Sequence, residues 1–175
     1  MPSFAYAPPA VSALASALRS DDEERLVQAL RRVKSLRSPR RTRELQVLDV
    51  LTTASSSRVR NAAALALADM RTKAAEQPLI DLLSRPDTMG ARATLLYALQ
   101  ELGSVVPLRI LVDFLVTEGY EASAEALNLI EKNATRYSNE ARQEAVKKLR
   151  AALKAPTSQL RQAAKLAIDC LRSAA

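Results

Sequence analysis

The sequence predicts an all-α protein built from stacked helix pairs, and three observations carry that prediction. First, 48% of the residues are apolar, yet the chain holds three glycines, two phenylalanines and no tryptophan. Packing therefore falls to Ala, Leu, Val and Ile, which favours helices over sheets. Second, one apolar face recurs. Counting 3, 4, 6, 7 and 10 residues on from Arg60 gives Ala63, Ala64, Ala66, Leu67 and Met70, one continuous side of a helix. The same offsets from Arg92 give Leu95, Leu96, Ala98, Leu99 and Leu102, and from Tyr120 they give Ser123, Ala124, Ala126, Leu127 and Ile130. From Glu23 they give Leu26, Val27, Ala29, Leu30 and Val33, and from Arg161 they give Ala164, Lys165, Ala167, Ile168 and Leu171. The anchors lie 37, 32, 28 and 41 residues apart, around the length of a two-helix repeat. Third, a separate apolar segment precedes every anchored helix.

In chain order, the first pair is "PAVSALASALRS" followed by the helix anchored at Glu23, with Ser20 as N-cap and Glu23 reaching back in a capping box. "TRELQVLDVLTTA" precedes "SRVRNAAALALADM", whose alanines bury little area each but let a neighbouring helix approach closely. "EQPLIDLLSR" precedes the Arg92 helix, "VPLRILVDFLVT" the Tyr120 helix and "NEARQEAVKKLRAAL" the Arg161 helix. Pro39, Pro86, Pro107 and Pro156 punctuate the connections. The reading is five antiparallel helix pairs in a single repeat domain, 9–175, behind a flexible tail, 1–8.

Composition excludes several classes of chemistry. With no histidine and one cysteine, Cys170, the chain has no intrachain disulfide, no usual zinc or iron–sulfur ligand set and no Ser/His or Cys/His arrangement. Gly90, Gly103 and Gly119 are too scattered for a phosphate-cradling loop. Glu121 and Glu125, one turn apart, are the nearest thing to an acid/base or cation pair, and no further acid completes a site. The expectation is a non-enzyme with no cofactor and no metal. No basic residue precedes the opening small-residue run, as a secretion signal requires, and no run reaches the roughly 20 apolar residues of a membrane span. We expect a soluble, cytoplasmic protein with no membrane partner.

"RVRNAAALALADM" followed by "AEQPLIDLLSRPDTMGARATLLYALQEL" resembles the HEAT repeat, in particular the short HEAT-like type of the phycobilisome lyases, over residues 39–131. The resemblance implies a right-handed α-α superhelix of about five helix pairs, with the first helices on the convex side and the anchored helices on the concave side. The family's valine-arginine pair stands as Val59 and Arg60, Ala91 and Arg92, and Leu160 and Arg161. The fourth repeat departs with Gly119 and Tyr120, and the first with Asp22 and Glu23.

Charge then locates candidate surfaces. The chain has 26 Lys and Arg against 19 Asp and Glu, a net charge of +7. Arg31, Arg32, Lys34, Arg37, Arg40, Arg41 and Arg43 form a basic edge with no acid among them, suited to phosphate or an acidic partner. Residues 101–131 reverse the sign, with six acids against Arg109, and residues 132–165 reverse it again. Offsets 1, 5 and 8 from each anchor define the face opposite the buried one. Along the middle repeats that face presents Asn61, Leu65, Tyr97, Gln100, Glu121, Glu125 and Asn128: an apolar and aromatic centre flanked by amides and carboxylates, the profile of a protein-binding surface. The expected function is therefore a protein–protein interaction module, whether adaptor, assembly factor or immunity-type inhibitor, gripping another protein along its concave face. The alternative is weak nucleic-acid contact through the 31–43 edge. A chromophore-lyase role rests on the family likeness alone.

Overall fold

A computed structural model describes residues 16–18, 22–35, 38–154 and 157–174. These residues contain nine α-helices and short 3-10 turns, and no strand. The chain forms two compact units, Met1–Met70 and Arg71–Ala175.

The first unit holds α1 (Glu23–Arg31), α2 (Arg40–Thr53) and α3 (Ser57–Asp69). Asp22, rather than Ser20, is the N-cap of α1, its side chain accepting from the Arg25 amide at 3.0 Å; Ser20 and the 1–8 tail lie outside the described residues, as does most of the expected first helix. Pro39 sits at the N-cap of α2, and the Ser56 side chain caps α3. Helices α2 and α3 pack as a pair, and α1 packs on α3. The predicted α3 face, Ala63, Ala64, Ala66, Leu67 and Met70, is entirely buried, as are Val59 and the guanidinium-bearing Arg60.

The second unit holds α4 (Glu76–Leu83), α5 (Arg92–Glu101), α6 (Leu108–Thr117), α7 (Tyr120–Asn133), α8 (Asn139–Ala152) and α9 (Ser158–Ser173). Pairs α4/α5, α6/α7 and α8/α9 stack so that α5, α7 and α9 form one layer and α6 and α8 lie in the other. All five predicted positions of α5 are buried, and four of five in α9, where Lys165 is exposed. In α7 the expected register is displaced: the buried stripe is Ala122, Ala126, Leu129, Ile130 and Asn133, while Ser123, Ala124 and Leu127 are half-buried and the anchor Tyr120 is exposed. Because α7 packs against α5, α6 and α9, its buried arc is wider than one stripe and is centred away from Tyr120.

Within four of the pairs, a basic side chain near one end donates to a carbonyl near the other end of the same pair. Arg40 reaches the Met70 oxygen at 2.7 Å, Arg71 the Glu101 oxygen at 3.0 Å, with Lys73 on the adjacent Leu102 oxygen, and Arg142 the Ala174 oxygen at 2.8 Å. Arg136 donates back to Gly103 at 3.4 Å, the longest of the set. Helix C-termini leave carbonyls without intrahelical partners and carry partial negative charge, so cations are favoured there.

Candidate functional site

Helices α5 and α7 lie side by side in the second unit, and each presents a row at i, i+4 and i+7: Ala93, Tyr97 and Gln100 on α5, Glu121, Glu125 and Asn128 on α7. The two rows meet at their N-terminal ends in a cleft of about 290 Å³, lined on one side by Gly90 and Ala93 and on the other by Gly119, Tyr120, Glu121 and Ala122. Arg92 and Glu118 also line it. Their ion pair is almost closed to solvent, with side chains 10% and 11% exposed. The Arg92 Nε donates to Thr88 Oγ1 at 3.0 Å and its Nη2 to the Arg85 carbonyl at 2.8 Å, and its guanidinium lies 5.2 Å from the centre of the Phe114 ring. The site is thus fixed on a rigid buried cation whose charge is already matched.

Above that floor the surface is aromatic and acidic. Tyr97 is 42% exposed, Tyr120 72% and Met89, next to Gly90, 70%. Glu121 and Asn128 are exposed, and Glu125 and Gln100 are half-buried. One oxygen of each of the latter two, Glu125 Oε2 and Gln100 Oε1, is buried without a hydrogen-bond donor among the described residues. Spacing did not single out Met89, and it marked Tyr120 only as a repeat anchor, not as part of the exposed row. Their signal is a bulky apolar residue beside a loop glycine just ahead of a helix, where no neighbouring turn can cover it.

The other expected residues of this face, Asn61 and Leu65, belong to α3 of the first unit. Leu65 is 38% exposed and Asn61 half-buried, while Ala68, next in that row, is buried and ends it. The basic edge is only partly a free surface. Arg31, Arg32, Lys34 and Arg41 are exposed, Arg43 is half-buried, and Arg37 lies outside the described residues. Arg40 is engaged twice, by Glu44 Oε1 at 2.7 Å and by the Met70 carbonyl.

Cys170 is half-buried, and burial, with a smaller contribution from the charge of Glu131, raises its thiol pKa, which disfavours the reactive thiolate. Among the described residues no group of three or more acidic or cysteine side chains is placed to hold a metal ion, and no helix is long and apolar enough to cross a membrane.

Stacked helix pairs with a repeating buried face define an α-solenoid. The chain belongs to the HEAT-repeat family, whose profile matches residues 44–131. It is similar in fold to two engineered proteins solved by a structural genomics consortium. The first has a TM-score of 0.56 at 20% identity, with 91% of this chain and 80% of that one covered, and the second a TM-score of 0.51 at 17% identity, with 92% and 96% covered. No curated protein matches the chain in sequence.

Proposed function

We propose that this chain is a protein-interaction module that binds a basic segment of a partner protein along the α5–α7 face. Repeat folds of this kind generally mediate protein–protein interaction and are typically non-catalytic. The observation that carries the reading is the placement of exposed Tyr97 and Tyr120 and of Glu121 and Glu125 on two helices that pack together in one unit. Tyrosine buries a wide ring while keeping a hydroxyl for hydrogen bonding, so it commonly dominates interface energetics. The carboxylates select a cationic partner and speed its approach. The buried acceptors of Gln100 and Glu125 gain donors if a Lys or Arg enters between the rows.

The test begins with capture of a protein from native lysate that survives nuclease treatment, followed by affinity measurement on purified components. Tyr97→Ala is expected to weaken the complex by roughly 2 kcal/mol or more, the usual hot-spot scale. Glu121→Lys with Glu125→Lys is expected to slow association, and added salt to mimic that loss. Unchanged affinity in both variants, with helicity intact, would remove this face as the binding site.

Exposure of Arg31, Arg32, Lys34 and Arg41 favours a second reading, sequence-independent contact with nucleic acid. Such binding is weak and falls steeply with salt, because each phosphate contact releases counterions. Submicromolar, sequence-selective binding at physiological salt would place this reading first.

A further inference from the structure

We propose that the chain associates with copies of itself head to tail, helix α2 of one copy lying in the groove between α4 and α6 of the next. The groove holds about 660 Å³. It is open because α6 packs on α8, while α4 packs on α5 and not closely on α6. Ile80 of α4, Ile110 of α6 and Val105 from the loop ahead of α6 line it, and all three are half-buried, so aliphatic surface remains for a ligand to cover. The two walls differ in charge. Glu76 and Asp81 line the α4 side and Arg109 the α6 side, and among the described residues none of the three forms an ion pair. Lys73, also at the groove, is occupied by the Leu102 carbonyl.

An aliphatic strip between an acidic and a basic wall fits an apolar side chain that has a cation to one side and an anion to the other. Helix α2 carries that pattern. Leu45 is 60% exposed, with Arg41 one turn before it and Asp49 one turn after. Four residues turn a helix by about 400°, so Arg41 and Asp49 lean about 40° to opposite sides of Leu45. Both are exposed, and among the described residues neither forms an ion pair. Other exposed leucines lack the pattern: at the same offsets Leu65 has Asn61 and Asp69, and Leu166 has Gln162 and Cys170. With Leu45 seated over Ile80 and Ile110, Arg41 meets the acids of α4 and Asp49 meets Arg109. Helix α2 belongs to the first unit and the groove to the second, so each copy offers both halves of a heterologous contact. One helix face in one groove is a small interface, so the association is weak and concentration-dependent. It uses no residue of the α5–α7 face, so either proposal can fail while the other stands.

The experiment is sedimentation velocity of the full chain over a concentration series up to about 1 mM. The wild type is expected to gain mass with concentration, and Leu45→Ser to weaken that association about tenfold or more. Arg41→Glu with Asp49→Lys reverses the helix pattern, and Asp81→Lys with Arg109→Glu reverses the walls. Each pair alters only exposed residues and keeps the net charge at +7, and each alone is expected to weaken association about fivefold or more. Mixed in equal amounts, the two variants are expected to associate as the wild type does, because the reversed helix then meets the reversed groove. Circular dichroism checks that each variant is folded. The proposal is overturned if the wild type stays monomeric throughout, if Leu45→Ser associates as the wild type does, or if the mixture associates no better than its components.

Discussion

At the residue scale, the buried Arg92 is the most heavily committed side chain in the second unit. It closes on Glu118, Thr88, the Arg85 carbonyl and the Phe114 ring at once. Arg92→Met leaves Glu118 as a buried charge without a partner, a loss of about 3–5 kcal/mol. Glu118→Leu added to it should recover much of that, because an apolar pair is then left rather than an orphaned ion; urea unfolding of the single and double variants measures both. The sequence marked Arg92 by its anchor position but gave no sign of Glu118, since the partner comes from the loop ahead of α7 and an arginine alone does not say which carboxylate meets it. Tyr137 offers a separate check. Its buried hydroxyl donates to the Val106 carbonyl at 3.0 Å, and desolvation pushes its pKa up to about 12. The folded state thus holds the phenolic proton more tightly than the unfolded chain. That contribution is complete below pH 10 and is lost as pH rises through about 12. Tyr137→Phe should remove this alkaline loss while costing about 1 kcal/mol at neutral pH, the net worth of one hydrogen bond. Unfolding followed from pH 8 to 12 in both proteins tests the sign.

At the element scale, corresponding helix ends in successive repeats use different residues for one backbone task. Gly103, with φ of 69°, follows α5 in a Schellman motif: its amide donates to Gln100 at 2.9 Å and the Ser104 amide to Leu99 at 3.0 Å. The position 32 residues earlier is Arg71, also left-handed with φ of 56°. A Cβ at Gly103 would meet nothing within 4 Å, so Gly103→Ala costs only the conformational term, about 1 kcal/mol. Arg71→Gly should change stability by less than about 0.5 kcal/mol. The strain it relieves is of the same size as the net value of the Arg71 bond to the Glu101 carbonyl that it removes. Thermal melts of both variants decide it. The 3.6-residue periodicity placed the buried stripes of α3 and α5, although α3 also buries Ala62 and Ala68 outside the expected stripe. It misplaced the stripe of α7, because contact with three helices spreads burial over an arc that no single template follows.

At the scale of the whole molecule, several of the cations behind the net charge of +7 already have hydrogen-bond partners within the chain. Arg40, Arg71, Lys73, Arg136 and Arg142 are occupied in holding carbonyls within their own helix pairs, and Arg92 is buried against Glu118. Counting charges could not reveal this, since a capping arginine and a phosphate-binding arginine look alike until the helix ends are placed. The rows on α5 and α7 could be read from spacing because helical geometry fixes which residues share a face. The cleft at their N-terminal ends could not, since it depends on where two loops leave Gly90 and Gly119. If the free cations alone contact nucleic acid, the salt slope of that binding should reflect about four charges, Arg31, Arg32, Lys34 and Arg41, rather than the seven of the edge. A titration of affinity against salt reads that number directly.

The carbonyl contacts also have a mechanical meaning. Each spans about 30 residues and joins the two ends of one helix pair, so each of these pairs is fastened shut as a separate loop. Pulled from its termini, such a chain should yield in discrete steps as successive fastenings break. Each step would release about 30 residues, on the order of 100 Å of extended chain. Replacing Arg142 by Ala should lower the rupture force of the last pair without changing the length it releases.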